Sequence, residues 1–248
     1  DKVAILLREA TDHVLMTAVK NSDGPLGKAH ARVVAFAAED NFEGVLKAAL
    51  HERDLLTFHD RNGAAEIDQV LRGHLGVRKG ATIDMLEEAL ASVLPDGKLE
   101  RARDVLRLGK KTDAECAVVL GHAIAAKKAS ARIKFLAEFF LTKEGKPRGR
   151  LITTDLASQN SDVVEALTDA QIKFYRLHEE HAALTVVEAT MALLRIAVAV
   201  AEKYTHAKNA RAALDFEDLI RHASSLLSSR EATDWVLFKL DGGLDHVL

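Results

Sequence analysis

Residues 168–208 read TDAQIKFYRLHEEHAALTVVEATMALLRIAVAVAEKYTHAK, a stretch without a single glycine or proline. Thr168 stands three residues ahead of Gln171, the spacing of a capping box, in which the two side chains satisfy free N–H groups of a first helical turn. Ala, Leu, Glu and Lys, all strong helix formers, make up much of the segment. A helix of about forty residues at 1.5 Å each spans ~60 Å. That exceeds a compact domain, so the helix is expected to kink, break or project as an arm. Residues 182–201 are its most apolar part and about as long as a membrane span. Glu188 and Arg195 interrupt them on one helical face, and Ala and Val dominate the rest. The segment is therefore expected to lie in a helical bundle, with no membrane contact.

The whole chain agrees with this segment. Of 248 residues only three are proline and fourteen glycine, while aromatics are 5%. Few breakers and many helix formers predict an all-α fold, an irregular multi-helix subdomain with one long helix. The single cysteine, Cys116, has no partner within the chain, which suits a reducing compartment. Periodicity places a first helix over residues 2–20, ended by Asn21-Ser22-Asp23-Gly24-Pro25, and a second over 28–38. Asn41 is positioned to cap a third, which Asn62-Gly63 breaks. Helices over 64–75 and 83–94 follow, the latter capped by Thr82, and Pro95-Asp96-Gly97 reads as a turn. Thr112-Asp113-Ala114-Glu115 repeats the capping-box spacing before an Ala-rich helix extending to about residue 140. A small β-hairpin is expected at 140–153, with Glu144-Gly145 at its tip and Pro147 demoting the second limb to an edge.

Motifs for catalysis are missing. No G-x-x-x-x-G-K-[ST] loop occurs and no G-x-G-x-x-G follows a strand, so no catalytic residue is assigned. Glu87-Glu88 and Glu179-Glu180 are adjacent pairs that diverge on a helix, expected to be solvated. His178-Glu179-Glu180-His181 places its histidines three apart rather than the four of a zinc-protease helix, with no third ligand nearby. These are expected to be surface histidines, and no metal site is assigned. Cys116 is expected to be a small core residue.

Charge is informative regionally. The chain carries 34 Lys and Arg against 37 Asp and Glu, a net −3. Residues 98–150 nonetheless hold fourteen basic side chains against six acids, a surplus of eight that leaves −11 elsewhere. A basic stretch inside an acidic chain suits a phosphate-binding surface. Lys143, Lys146, Arg148 and Arg150 lie on the expected hairpin and are the first candidates. Lys110, Lys111, Lys127, Lys128 and Arg132 form the second.

Tyr204, Lys208 and then Ala213-Leu214-Asp215-Phe216-Glu217-Asp218-Leu219-Ile220 resemble the Y-x-x-x-K…LDFDDLI segment of UvrD-like superfamily 1 DNA helicases, with Glu217 where that pattern has Asp. Trp235-Val236-Leu237-Phe238-Lys239-Leu240-Asp241-Gly242-Gly243-Leu244-Asp245-His246-Val247-Leu248 is similar to the stretch that precedes the Walker B motif in AddA-type helicase-nucleases. Phe139-Phe140-Leu141-Thr142-Lys143-Glu144-Gly145-Lys146-Pro147-Arg148 resembles the F-L-T-x-x-G-x-P-R segment of their alphaproteobacterial branch. The resemblance is specific from about residue 135 onward and diffuse before it.

The resemblance implies a piece of a longer ATP-dependent DNA helicase and exonuclease that resects double-strand breaks. This piece would lie between the Walker A and Walker B motifs. Residues 1–208 would be the helical accessory subdomain called 1B, and 209–248 would return to the motor as the Walker B strand begins. ATP and Mg2+ would belong to the parent, and no cofactor to this piece. DNA and an AddB-like subunit would be the partners, in the cytoplasm. Tyr204, Lys208, Leu214, Asp215, Phe216 and Asp218 would be structural, with Asp215 capping a helix in which Phe216 and Leu219 are core. A helical module that docks a partner protein without touching DNA is the alternative; a self-contained helical enzyme is the less favoured third.

Overall fold

The computed structural model describes residues 2–37, 41–214, 216, 218–220 and 223–224. Among these residues the fold is all-α, with eleven helices and no sheet. They are α1 (Lys2–Lys20), α2 (Pro25–Ala37), α3 (Phe42–His51), α4 (Arg53–Asn62), α5 (Ala64–His74), α6 (Ile83–Ala91), α7 (Asp96–Arg107), α8 (Lys111–Ala125), α9 (Ala129–Phe140), α10 (Thr154–Gln159) and α11 (Ser161–Ala210). The expected strand before residue 248 lies outside the described residues, as do Asp215 and Glu217.

The chain divides into two units, one of residues 1–57 with 192–248, the other of 58–191. This is a division by packing, separate from the accessory-and-motor division at residue 208. In the first unit Ala10 and Val14 of α1 meet Ala29 and Val33 of α2, Phe42 and Leu46 of α3, and Ile196, Ala197 and Val200 of α11. In the second, α7, α8 and α9 fold back on one another around Leu99, Leu106, Leu120, Leu136 and Phe174, all fully buried. Phe139 and Phe140 meet edge to face at 5.0 Å, and Phe140 lies 5.4 Å from Phe174. Such aromatic pairs add to what area burial alone contributes.

Several helix ends depart from expectation. α11 begins at Ser161, so Thr168 is interior and its hydroxyl donates to the Val164 carbonyl at 2.8 Å instead of capping. The helix is a single element of 50 residues, ~75 Å by its rise. It has the length and composition of a membrane span, and Leu184, Val187, Ile196, Ala197 and Val200 along it are buried against other helices. The helix expected up to residue 140 is two, because Ala126 and Lys128 are extended. Nothing in Ala-Lys-Lys forbids helix; the fold-back buries Leu120, Ala123, Leu136 and Phe140 in one core. The third helix likewise breaks at Glu52, and Asn41 makes no side-chain cap. α2 begins earlier than predicted, with Pro25 at a position where the missing N–H costs nothing.

Thr82 caps as predicted, accepting from the Met85 N–H, although α6 ends at Ala91. The turn expected at residues 95–97 instead starts α7. Pro95 accepts from the Lys98 and Leu99 N–H groups at 2.9 and 3.0 Å, and Asp96 favours the positive helix end.

A second cluster in the same unit joins Val77, Ala81 and Leu86 to Leu184 and Val187. It is clamped by Glu180, whose Oε1 accepts from the Arg78 N–H at 3.0 Å and from its Nε at 2.9 Å. Glu180 is thus paired, not simply solvated. The Arg78 hydrogen bond holds its carboxyl below the ordinary 4.5. A carboxylate lowered on folding contributes stability that is complete above its ordinary range and lost as pH falls through the lowered value. Arg78→Ala should therefore be less stable than the parent at neutral pH, and the gap should close as pH falls below 4.5. Chemical denaturation across that range checks it; a gap independent of pH would reject the linkage.

Candidate nucleic-acid interface

The expected hairpin is a tight turn with one bridge, between Leu141 and Pro147, and no strands. Thr142 donates to the Lys146 carbonyl at 2.7 Å, Gly145 to the Thr142 carbonyl at 3.0 Å, and Arg148 to the Phe140 carbonyl at 2.9 Å. Gly145 takes a φ of 74°, which a side chain would resist. Gln171, read from sequence as a capping residue, is buried and holds the turn instead. Its amide donates to the Phe140 carbonyl at 2.8 Å and to the Arg148 carbonyl at 2.9 Å.

Arg148 braces the same turn. Its guanidinium donates to the carbonyls of Leu141 and Glu138 at 3.0 and 2.9 Å, so those donors are engaged. Lys143, Lys146 and Arg150 are exposed and make no ion pair among the described residues. Glu144 lies between them, its carboxyl held below the ordinary range by the Thr142 hydroxyl.

The second candidate cluster is divided between two places. α8 and α9 are joined by three residues and pack together, the arrangement of an antiparallel helix pair. Lys110 and Lys111 stand at the start of α8, and Lys127 and Lys128 follow its end, ~22 Å away for 15 residues. Arg132 belongs to the far end, is largely buried, and donates to Asp96 at 2.5 Å. Lys127 and Lys128 are exposed there.

The near end is held together by Asp113. Its carboxylate accepts from the Lys110 N–H at 3.1 Å, the Thr153 N–H at 3.0 Å and the Thr153 hydroxyl at 2.6 Å. The helix start is therefore Lys110, with Asp113 as the residue reaching back, and Thr112 is not the cap. Lys110 also meets Asp155 at 2.5 Å, an exposed pair of the kind worth little and readily exchanged. Its hydrogen bond raises the lysine and lowers the carboxyl. Lys111, Lys143, Lys146 and Arg150 thus form the uncommitted cations at one end of the α8–α9 pair. Gln171 had a sequence signal, but it pointed to a cap, and Asp113 stood only between the expected capping pair Thr112 and Glu115; the long-range partners of both had none.

Of the remaining candidates, three come together. Lys208 and Asp218 form a buried ion pair, and the lysine lies over the Tyr204 ring at 4.7 Å. Three residues of the Y-x-x-x-K…LDFDDLI pattern therefore converge. Leu214, Phe216 and Leu219 are exposed, so Phe216 and Leu219 are not core among the described residues. Packing against α11 takes Asp218 inside and leaves the neighbouring apolar side chains out. His178 and His181 are half-buried rather than on the surface: His178 stacks on Phe174 at 6.0 Å and His181 lies 3.7 Å from Glu87. No group of three potential metal ligands occurs among the described residues. Cys116 is half-buried against the core, and burial pushes its thiol up, away from the thiolate a nucleophile needs.

No protein-family model, curated protein or solved structure matches the chain.

Proposed function

We propose that this chain is a DNA-contacting accessory module of a larger ATP-dependent helicase-nuclease of the AddA type, binding the phosphate backbone through one end of the α8–α9 pair. The observation that carries the DNA contact is the set Lys111, Lys143, Lys146 and Arg150. All four are exposed and unpaired among the described residues; Lys143 and Lys146 lie on a turn pinned by Gln171 and Arg148, and Arg150 follows it. A pinned turn presents its cations with little ordering left to lose on binding. The helicase assignment rests on the sequence resemblance, supported by the convergence of Tyr204, Lys208 and Asp218. On this proposal the chain by itself performs no DNA-stimulated ATP hydrolysis, because phosphoryl transfer needs the phosphate cradle and magnesium acid of the parent.

Replacing Lys111, Lys143, Lys146 and Arg150 together by Ala should weaken binding to duplexes of any sequence alike. The slope of log affinity against log salt should flatten by about one for each phosphate contact removed. Arg148 is left out because its loss would loosen the turn itself. Anisotropy titrations at several salt concentrations check this; unchanged affinity and slope would remove the turn from the interface.

A second function is favoured by a different observation. Leu214, Phe216, Leu219 and Ile220 are at least half exposed, a concentration of apolar side chains that suits a protein partner. An AddB-like subunit is the partner the resemblance implies. Contact of this kind has little salt dependence, which separates it from phosphate binding.

A further inference from the structure

We infer that the groove between α6 and α9 is a docking site for a basic amphipathic helix of a partner protein, with its cations on a carboxylate rim and its apolar side chains on the floor. The groove holds about 520 Å3, in the range of cavities that take a ligand or several side chains. Its floor is apolar: Ala91, Leu94, Pro95 and Ala129 line it, and the two alanines leave room above the contact of α6 with α9. The groove lies wholly within residues 58–191 and shares no residue with the cations Lys111, Lys143, Lys146 and Arg150.

The rim is acidic. Glu87 and Glu88 stand three and four residues after Asp84, so α6 turns all three toward one side. Asp96, at the start of α7, adds a fourth carboxylate. Against them stands one cation in the lining, Arg132, and Asp96 already holds it through Nη2. Glu87 meets His181 at 3.7 Å, while Asp84 and Glu88 make no ion pair among the described residues. This arrangement is costly to α6 itself. Asp84 and Glu88, like charges four residues apart, repel each other. Glu88 also stands in the last turn, where the helix end favours a cation and α6 supplies none. A cationic occupant relieves both.

A phosphate backbone would meet repulsion here. A simple polycation would satisfy the rim and leave the floor in water. A helix that carries Lys or Arg beside Leu or Val satisfies both, because such helices seat their apolar face in a groove while charge sets the register. The α9 end of the groove differs. Lys127 and Lys128 precede Ala129 there, and the Nε of Arg132 is buried without a hydrogen-bond partner. Donors of this kind suit the free carbonyls of an occupant's last helical turn.

Anisotropy titrations of the full chain test this with three labelled probes: an amphipathic Lys-Leu helical peptide, its Glu-Leu counterpart, and oligolysine of the same charge. The Lys-Leu peptide should bind and the Glu-Leu peptide should not. Oligolysine should bind about tenfold more weakly than the Lys-Leu peptide, since it leaves the floor empty. Asp84→Asn combined with Glu88→Gln should weaken Lys-Leu binding about tenfold. Glu43→Gln combined with Glu66→Gln removes the same charge elsewhere and should change it by less than about twofold, because distant exposed charges are screened. Ala129→Arg, which puts a cation on the floor, should abolish binding. Circular dichroism checks that each variant stays folded, and Ala129→Arg decides alone if the α6 variant does not. Equal losses in the two charge variants would reduce the binding to bulk charge and overturn the site. Oligolysine binding as tightly as the Lys-Leu peptide would replace the protein helix by a simple polycation. Failure of the Lys-Leu peptide to bind, or binding that survives Ala129→Arg, would overturn the groove altogether and leave the DNA contact untouched.

Discussion

Lys208→Met, with Asp218 left in place, should lower the stability of the protein by about 3–5 kcal/mol, the usual cost of removing one member of a buried ion pair. Both side chains are almost wholly buried, at 7% and 6% exposure, so water cannot replace the lost partner. The cation also lies over the Tyr204 ring, a contact that methionine meets only as an apolar group. Asp218→Leu alone should be comparably damaging for the converse reason. The double variant Lys208→Met, Asp218→Leu should recover much of the loss, because replacing both charges by apolar groups removes the desolvation penalty. Urea denaturation of the three variants measures this. A single-variant loss below about 1 kcal/mol would place the pair in the solvated class.

Asp113→Ala should be the next most costly change, about 3–5 kcal/mol, because one carboxylate serves three donors. The Lys110 N–H, the Thr153 N–H and the Thr153 hydroxyl all lose their acceptor at once. Asp113 is 2% exposed, so the donors facing it have little water to turn to. Asp113→Asn keeps one carbonyl oxygen and should fall between the two. Amide hydrogen exchange supplies the local readout, since Lys110 and Thr153 should lose protection before the core of α8 does. If the alanine variant is as stable as the parent, the carboxylate is not the fastener of this end. The same variant should also weaken DNA binding under the proposed function, because the start of α8, where Lys111 stands, rests on Asp113.

The two polar residues Asp113 and Gln171 show where sequence reasoning reached and where it stopped. A helix start near Asp113 was legible from Thr112-Asp113-Ala114-Glu115, but with Thr112 and Glu115 as the expected capping pair, where the structure uses Lys110 and Asp113. The bonds of Asp113 to Thr153 were not legible, because a partner forty residues away leaves no local pattern. Gln171 behaves the same way: the spacing to Thr168 suggested a cap, while the side chain serves the carbonyls of Phe140 and Arg148. Among the cations, chemistry was readable and availability was not. Lys143 and Arg148 look equivalent in the chain, yet one is exposed and unpaired among the described residues while the other braces the turn.

What the chain determines by itself is the helical class and many of the helix bounds. Those come from propensity and from apolar residues recurring along one helical face, both of which are properties of neighbouring residues. Thr82 caps α6, α1 spans Lys2–Lys20, and the glycine at the tip of the turn takes the positive φ that its sequence suggests. Tertiary structure alone decided that α8 and α9 separate at residues without a breaker, that α11 starts at Ser161, and that the two basic clusters regroup at opposite ends of a helix pair. Each of these depends on apolar side chains competing for one core, or on a polar group finding a distant partner. Those energies arise only when residues far apart in sequence meet, and local pattern carries no record of them.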